Sequence, residues 1–337
     1  MKAIIVGTGP LDDVAANLLR PFGEIVIPPR GDEEGLLPII PDAIALIVRG
    51  GGSATAALIR EAKNLRVIGR SGAGYESVDI AAATERKIPV VFAPGLGARA
   101  VAEAAVAFMF ALCKKIPYWD RQVKVGNWTS RFESRPGDLD GATVGIVGFG
   151  NIGQQLARMV MPFGVNVLVS DPYTKSSKAA ELGVQLTSLE KLIAKSDFIS
   201  LHAPQTPETI GMINRDLLRQ IKRGAFLINL ARGALIENLD ILHEALEDGR
   251  LAGVGLDVFE PEPPDARHPV FKHINCLTSP HVLGTSDGAM REIFRSMAED
   301  MVAVLSGNRP RFVVNPEVFE ADAAAHEPAA RDLSKPG

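Results

Sequence analysis

Residues 144–157 read VGIVGFGNIGQQLA. The apolar run Thr143–Val147 has the look of a strand, and an amphipathic stretch, Ile152–Met161, reads as the helix that follows it. Between them, each glycine has a steric task. Gly148 permits a tight turn, Gly150 lets the backbone approach a pyrophosphate, and Gly153 lets the helix pack closely on the strand. Asn151 and Ile152 open that helix, whose free N–H groups and positive dipole end face the phosphates. Asp171 follows Gly153 by eighteen residues, at the end of a strand expected at Asn166–Ser170. A carboxylate there accepts hydrogen bonds from an adenosine ribose and repels a 2′-phosphate. The stretch predicts a dinucleotide-binding unit that prefers NAD to NADP.

Downstream the same rhythm continues. Strands are expected at Phe198–Leu201, Ala225–Leu230, Gly253–Val258 and Asn275–Thr278, with helices at Ser188–Ala194, Arg215–Gln220 and Leu239–Glu247. Six strands with crossover helices suit a doubly wound parallel α/β sheet. Upstream, strands near 2–6, 24–27, 44–48, 66–68 and 90–92 alternate with helices near 11–19, 54–62 and 78–86, so a second α/β unit precedes the first. An apolar helix is expected over Ala100–Ile116, and another over Ala289–Leu305 with Ile293, Met297, Met301 and Val304 on one face. Arg121–Asp140 reads as a polar connecting arm, and 317–337 as a disordered tail.

Composition narrows the classes. The 337 residues suit about two domains. Apolar residues make up 46% and charged residues 23%, as in ordinary soluble proteins. Lys and Arg number 36 against 40 Asp and Glu, a net charge of −4, which argues against a general nucleic-acid binder. Two distant cysteines, Cys113 and Cys276, argue against a disulfide framework or a structural zinc site and favour a reducing, cytoplasmic setting. No metal is expected. The longest apolar run, Ala104–Cys113, is too short for a bilayer.

Chemistry gathers at the ends of the later strands. Ala231-Arg232-Gly233 follows one, Asp257 and Glu260-Pro261-Glu262 another, and Ser279-Pro280-His281 a third. Meeting at the carboxyl edge of a doubly wound sheet, these residues would bring a guanidinium, carboxylates and an imidazole to a nicotinamide. Such a set suits a 2-hydroxy acid. The guanidinium grips a carboxylate with two N–H donors. The imidazole exchanges the hydroxyl proton while hydride moves, and a neighbouring carboxylate orients it. Glu260 reads as a solvated charge, whereas Asp257 within an apolar strand must be paired. His243 and His273 read as surface residues, His268 as loop, and His202 as either a cofactor-site residue or a cap on the sheet. Gly7-Thr8-Gly9 and Gly72-Ala73-Gly74 are incomplete glycine motifs that read as turns, either bringing backbone amides near a ligand or plain. Gly284-Thr285-Ser286-Asp287-Gly288 matches a hydrolase elbow, but the histidine it needs downstream is only His326, in the tail.

With these motifs in place, the sequence resembles the D-isomer-specific 2-hydroxyacid dehydrogenase family. The resemblance rests on residues 144–157, ISLHAPQTPETIGMIN (199–214), INLARGALI (228–236), GVGLDVFEPEPP (253–264) and LTSPHVLGTS (277–286). It implies a Rossmann-type NAD-binding domain, 100–284, inserted into a flavodoxin-like substrate-binding domain made of 1–99 and 285–316. Carried over, Arg232 binds the substrate carboxylate, Glu262 supports the histidine and His281 is the acid–base. Cofactor contacts implied are Gly148, Gly150, Asn151, Ile152, Gly153, Asp171, His202, Ala203, Pro204, Ala231, Arg232, Asp257, His281 and Gly284. The amides of Gly72, Ala73 and Gly74 are implied to contact substrate. VIGRSGAGYESVDIAAAT (67–84) is most similar to phosphoglycerate dehydrogenases, in which Arg49 and Arg70 would face a phosphate. Phe92 and Gly97 depart from residues common in the family.

Two other functions on this fold are a formate dehydrogenase, which Glu262 argues against, and an NAD-sensing corepressor-like protein, which keeps the same trio. Trp119, Val123, Val125 and Trp128 have no evident core to join, so a homodimer is expected. The expected ligand is a small 2-hydroxy or 2-keto acid, with no nucleic-acid or membrane partner.

Overall fold

The structure, a computed structural model, describes residues 3–72 and 74–320. They fall into two compact units, one of residues up to Gly97 with those from Asp287 on, the other Ala98–Ser286.

The first unit holds five strands: β1 (Ile4–Gly7), β2 (Glu24–Val26), β3 (Ala43–Val48), β4 (Val67–Arg70) and β5 (Val90–Val91). All pair in parallel, in the order β2-β1-β3-β4-β5. That is the flavodoxin-like arrangement, in which the order reverses beside β1. β1, β3, β4 and β5 are short, largely apolar and mostly buried runs, as a parallel sheet requires, while the edge strand β2 keeps Glu24 exposed. The helix Asp287–Leu305 covers one face with Phe294, Met297, Met301 and Val304, joining Ile5, Ile47 and Val67 in one core.

The second unit has β6 (Thr143–Val147), β7 (Asn166–Ser170), β8 (Gln185–Leu186), β9 (Phe198–Leu201), β10 (Ala225–Asn229), β11 (Leu251–Leu256) and β12 (Cys276–Thr278). Their order is β12-β11-β10-β9-β6-β7-β8, all parallel. Renumbered from β6 this is 3-2-1-4-5-6 with one further strand, the Rossmann order, with its switch point between β6 and β9. The strand that the sequence reading left out, β8, is two residues long and polar on one face, which left it below the level of any periodicity. The apolar helix Ala98–Cys113 packs into the core with Phe108, Met109 and Leu112.

Three segments depart from the sequence reading. Within Arg121–Asp140 the chain is not simply an arm. A helix begins at Ile116, with Pro117 in its first turn, and runs to Lys124, and a 3₁₀ turn covers Trp128–Phe132. Proline suits that first turn because its missing N–H has no partner there. The expected tail loses its first residues to order, since Pro316–Phe319 is a 3₁₀ turn with Val318 buried. His326 and the rest of the tail, 321–337, lie outside the described residues, as does Ala73. Finally, Asp257 stands one residue past β11 rather than inside it.

Candidate active site

Six neighbouring strands of the second sheet send the implicated residues to one edge. Taken in spatial order, His281 follows β12, Asp257 and Glu262 follow β11, and Arg232 follows β10. His202, Ala203 and Pro204 follow β9, Gly148–Gly153 follow β6, and Asp171 follows β7. Because the sheet is wholly parallel, these carboxyl ends all lie on the same side.

The glycine loop has the shape of a dinucleotide cradle. Gly148 sits at φ +91°, and a Cβ there would lie 2.6 Å from the Ala203 nitrogen. A Cβ on Gly153 would lie 2.2 Å from the Gly148 carbonyl oxygen, so the helix Asn151–Val160 can approach only because that atom is missing. Gly150 has open space on its side-chain face. Elsewhere in the chain Asp12, Thr55, Asp79, Ser188, Asn214 and Asn238 cap helices with their side chains. The helix at Gly150 has no such cap, which leaves its first-turn donors to a ligand.

Asp171 is tied to this loop. Its Oδ2 accepts from Phe149 N at 2.7 Å, and its Oδ1 from Tyr173 N at 2.8 Å and Thr174 N at 2.9 Å. A carboxylate has about four lone-pair positions, so one remains for a ribose hydroxyl. Across the switch point, His202 N donates to Val147 O at 2.7 Å. Its Nε2 pairs with Ser200 Oγ at 2.8 Å, while Nδ1 is buried with no hydrogen-bond partner. Burial pushes this imidazole down to about 3, so it is neutral near pH 7. A polar atom orphaned beside an open phosphate cradle fits a site shaped for a dinucleotide.

His281 and Glu262 lie in direct contact. His281 Nδ1 lies 2.9 Å from Glu262 Oε2, and Glu262 Oε1 accepts from Phe259 N at 3.0 Å. The carboxylate thus bridges its own loop and the imidazole. The pair is about half exposed, His281 at 49% and Glu262 at 40% of their side chains. Asp257 is what holds the histidine's loop. Only 3% exposed, it accepts from Ser279 Oγ at 2.6 Å, Val282 N at 2.9 Å and Leu283 N at 3.2 Å, and its carbonyl accepts from His281 N at 2.7 Å. This loop wraps round one carboxylate, and His281 sits within it at φ +52°. A non-glycine residue in that region is uncommon and is kept there by its surroundings.

The turn that presents Arg232 is braced by Asn229, which is fully buried. Its Nδ2 donates to Arg232 O at 2.9 Å, and its Oδ1 accepts from Ala231 N at 3.0 Å. Arg232 Nη1 donates to Ala231 O at 2.7 Å. A Cβ on Gly233 would fall 2.0 Å from the Phe259 carbonyl carbon, so glycine alone lets this turn lie against the loop leading to Glu262. Asn229 was overlooked in the sequence because an asparagine ending an apolar strand carries no periodic signal. Its contacts are local, and INLARG is the one place they could have been read.

In the first unit, Arg49 follows β3 and Arg70 ends β4. Arg49 lines a cavity of about 480 Å³ with Thr8–Pro10, Arg30–Asp32 and Gly50–Gly52. Its guanidinium donates to Pro10 O and lies 5.3 Å from the centre of the Phe294 ring. Arg30, in the same cavity and not singled out by sequence, pairs with Asp32 and Glu34. Arg70 lies outside this cavity, with Nη1 donating to Ser71 O at 3.0 Å. The Gly72 amide, expected to face a ligand, donates instead to Arg70 O at 2.9 Å, closing a tight turn.

Among known families, the one described as "D-isomer specific 2-hydroxyacid dehydrogenase, NAD binding domain" matches residues 106–282. A D-3-phosphoglycerate dehydrogenase of Archaeoglobus fulgidus is 36% identical over 324 residues, covering 96% of this chain and 61% of the relative. The chain thus spans about three-fifths or less of the length of the first phosphoglycerate dehydrogenases it matches. A hydroxypyruvate reductase of Thermotoga maritima is 34% identical, covering 86% of this chain and 94% of that protein. Among solved structures, a protein of Thermus thermophilus superposes with a TM-score of 0.85 at 32% identity, covering 92% of this chain and 99% of the other. A D-lactate dehydrogenase of Aquifex aeolicus, solved with NAD and lactic acid, gives 0.80 at 26% identity, covering 94% and 98%. From the glycine cradle through the Glu262–His281 pair to these relatives, the chain belongs to the D-isomer specific 2-hydroxyacid dehydrogenase family.

Proposed function

We propose that the protein interconverts a D-2-hydroxy acid and its 2-keto acid with NAD. The observation that carries this reading is the Nδ1–carboxylate contact of His281 with Glu262, on the same sheet edge as Arg232 and the glycine cradle. NAD, when bound, supplies the nicotinamide that accepts or returns hydride. Gly148, Gly150, Asn151, Ile152, Gly153 and Asp171 would hold it at the switch point, with His202, Ala203, Pro204, Ala231, Asp257 and Gly284 lining the rest of the edge.

Arg232 then grips the substrate carboxylate with its forked donors, which fixes the direction from which the α-carbon is presented. His281 takes the hydroxyl proton in oxidation and returns it in reduction. Glu262 is a positioning residue. By holding Nδ1 it turns Nε2 outward and stabilises the imidazolium formed when the proton arrives. Asp171 disfavours a 2′-phosphate and so selects NAD.

Substrate identity is tested by following NADH oxidation against pyruvate, glyoxylate, hydroxypyruvate and 3-phosphohydroxypyruvate. The last two are placed first because relatives carry the names hydroxypyruvate reductase and D-3-phosphoglycerate dehydrogenase. No turnover of any 2-keto acid with either reduced nicotinamide nucleotide would overturn the enzymatic reading.

The protein is also proposed to form a homodimer. Val123, Val125, Trp128 and Phe132 are 58–77% exposed within one short segment, a run of apolar surface that association would cover. A monomer by sedimentation at micromolar concentration overturns this. Both cysteines are free thiols, which suits a reducing cytoplasm. Among the described residues no helix is long and apolar enough to cross a membrane.

A further inference from the structure

Away from the edge just described, two histidines that the sequence placed on the surface meet each other. His243 and Glu247 lie one turn apart on the same face of the helix Leu239–Glu247. His273 is the first residue after the 3₁₀ turn Pro269–Lys272, just ahead of β12. His243 Nδ1 and His273 Nε2 are 2.9 Å apart, and Glu247 Oε1 lies 3.3 Å from that same Nε2. The three ligand atoms lie within 4.8 Å of one another.

We propose that His243, Glu247 and His273 bind one late first-row divalent metal ion, with Zn²⁺ the foremost candidate. Two nitrogen donors and one carboxylate oxygen suit such an ion, whereas Mg²⁺ and Ca²⁺ take oxygen sets. Metal–nitrogen distances are about 2.0–2.1 Å, so two nitrogens 2.9 Å apart subtend about 90° at a shared ion. A small ring rotation opens that angle toward tetrahedral. Without an ion, the two imidazole nitrogens can coexist at this distance only with a proton between them. The metal takes that proton's place.

The surroundings favour the same occupant. The His273 side chain is 16% exposed and therefore held in place, while Glu247 is 64% exposed and leaves a route in from solvent. His268 Nε2 and Asp240 Oδ1, 3.0 Å apart, clip the other end of the 3₁₀ turn to the same helix. Glu247 is the last residue of its helix, whose carboxyl-end dipole favours a cation. His273 precedes β12 and His281 follows it, so this site lies at the opposite edge of the sheet from the candidate active site. The ion would staple the helix and the 3₁₀ turn to the strand that carries His281. Three protein ligands leave a fourth position for water.

The test is calorimetric titration of the chelator-stripped full chain with Zn²⁺, paralleled by Co²⁺ absorption. One saturable ion per chain is expected, with ligand-field bands from Co²⁺ and a raised thermal transition. His273→Ala and Glu247→Gln should each weaken Zn²⁺ by more than the roughly 10–100-fold that losing a mere outer-shell partner costs. His268→Ala should bind as the parent does. If His273→Ala fails to fold, the exposed Glu247→Gln decides. Absence of saturable binding, binding unchanged in both ligand variants, or binding lost in His281→Ala would each overturn the proposal.

Discussion

Asp257 is the residue on which the position of His281 depends, and its removal gives the sharpest test of the site. Asp257→Ala deletes the acceptor for Ser279 Oγ at 2.6 Å, Val282 N at 2.9 Å and Leu283 N at 3.2 Å. Hydrogen bonds to a charged acceptor contribute roughly 1.5–3 kcal/mol each. Ser279 and Leu283 are half-buried and Val282 is exposed, so water takes over part of what is lost. The expected destabilisation is therefore about 2–4 kcal/mol, below the simple sum. Released from its centre, the loop no longer has a reason to keep His281 at φ +52°. A displacement of about 1 Å at a reacting group costs up to ~10²-fold, so kcat should fall about 10–100-fold. Asp257→Asn should lie between, because its Oδ1 still serves Ser279 and Val282 while its NH₂ opposes the Leu283 N–H. Urea unfolding of all three proteins and steady-state kinetics with the best 2-keto acid supply both readouts. A parent-like unfolding midpoint and a kcat within about twofold for Asp257→Ala would refute the reasoning. A raised KM for NADH at unchanged stability would instead assign Asp257 to the cofactor alone.

The buried His202 predicts an acid-side loss of stability. Its folded value near 3 lies below the unfolded 6.5, so the unfolded chain binds the extra proton between them, and stability falls as pH drops through that window. From pH 7 to 5 this group should cost about 1–2 kcal/mol, and His202→Gln should lose correspondingly less, as read by urea midpoints at the two pH values. An equal drop in both proteins would count against it. Asp171→Ala should narrow the preference for NADH over NADPH and raise KM for both, since it also anchors the Phe149 amide. A parent enzyme that uses the two cofactors equally would remove the selectivity role. Finally, His281→Ala should lower kcat by about 10²–10⁴-fold, whereas Glu262→Gln, in a half-exposed pair, should lower it only about 2–10-fold. A fully active His281→Ala would sink the mechanism.

Much of the second unit could be read from its sequence because its signals are local. The strand Thr143–Val147, the glycines after it and the acid ending β7 are consecutive features, and a parallel sheet places strand ends on one side whatever the details of packing. The same rule brought Arg232, Glu262 and His281 to one edge before any coordinates. What packing decided was how these groups are held. A carboxylate at position 257 needed partners, but sequence could not say that they would be the amides of residues 282 and 283 rather than a cation. The approach of Gly233 to Phe259 depends on the spacing between β10 and β11, which no single segment encodes. The helix at Ile116–Lys124 was hidden because a proline reads as an ending until its place in the first turn is known.

By itself, then, the chain determined two α/β units and a glycine loop placed for a dinucleotide, carried by hydrophobic period, glycine spacing and strand ends, while the resemblance to a family singled out Arg232, Glu262 and His281. Only tertiary structure decided the company that side chains keep across loops. His243 and His273 stand thirty positions apart in charged surroundings, and nothing local distinguishes them from solvated histidines. They meet because a helix returning along the sheet ends where the chain turns into β12. Contacts of that kind are set by how elements pack on the sheet, and a residue pattern read along the chain has no access to them.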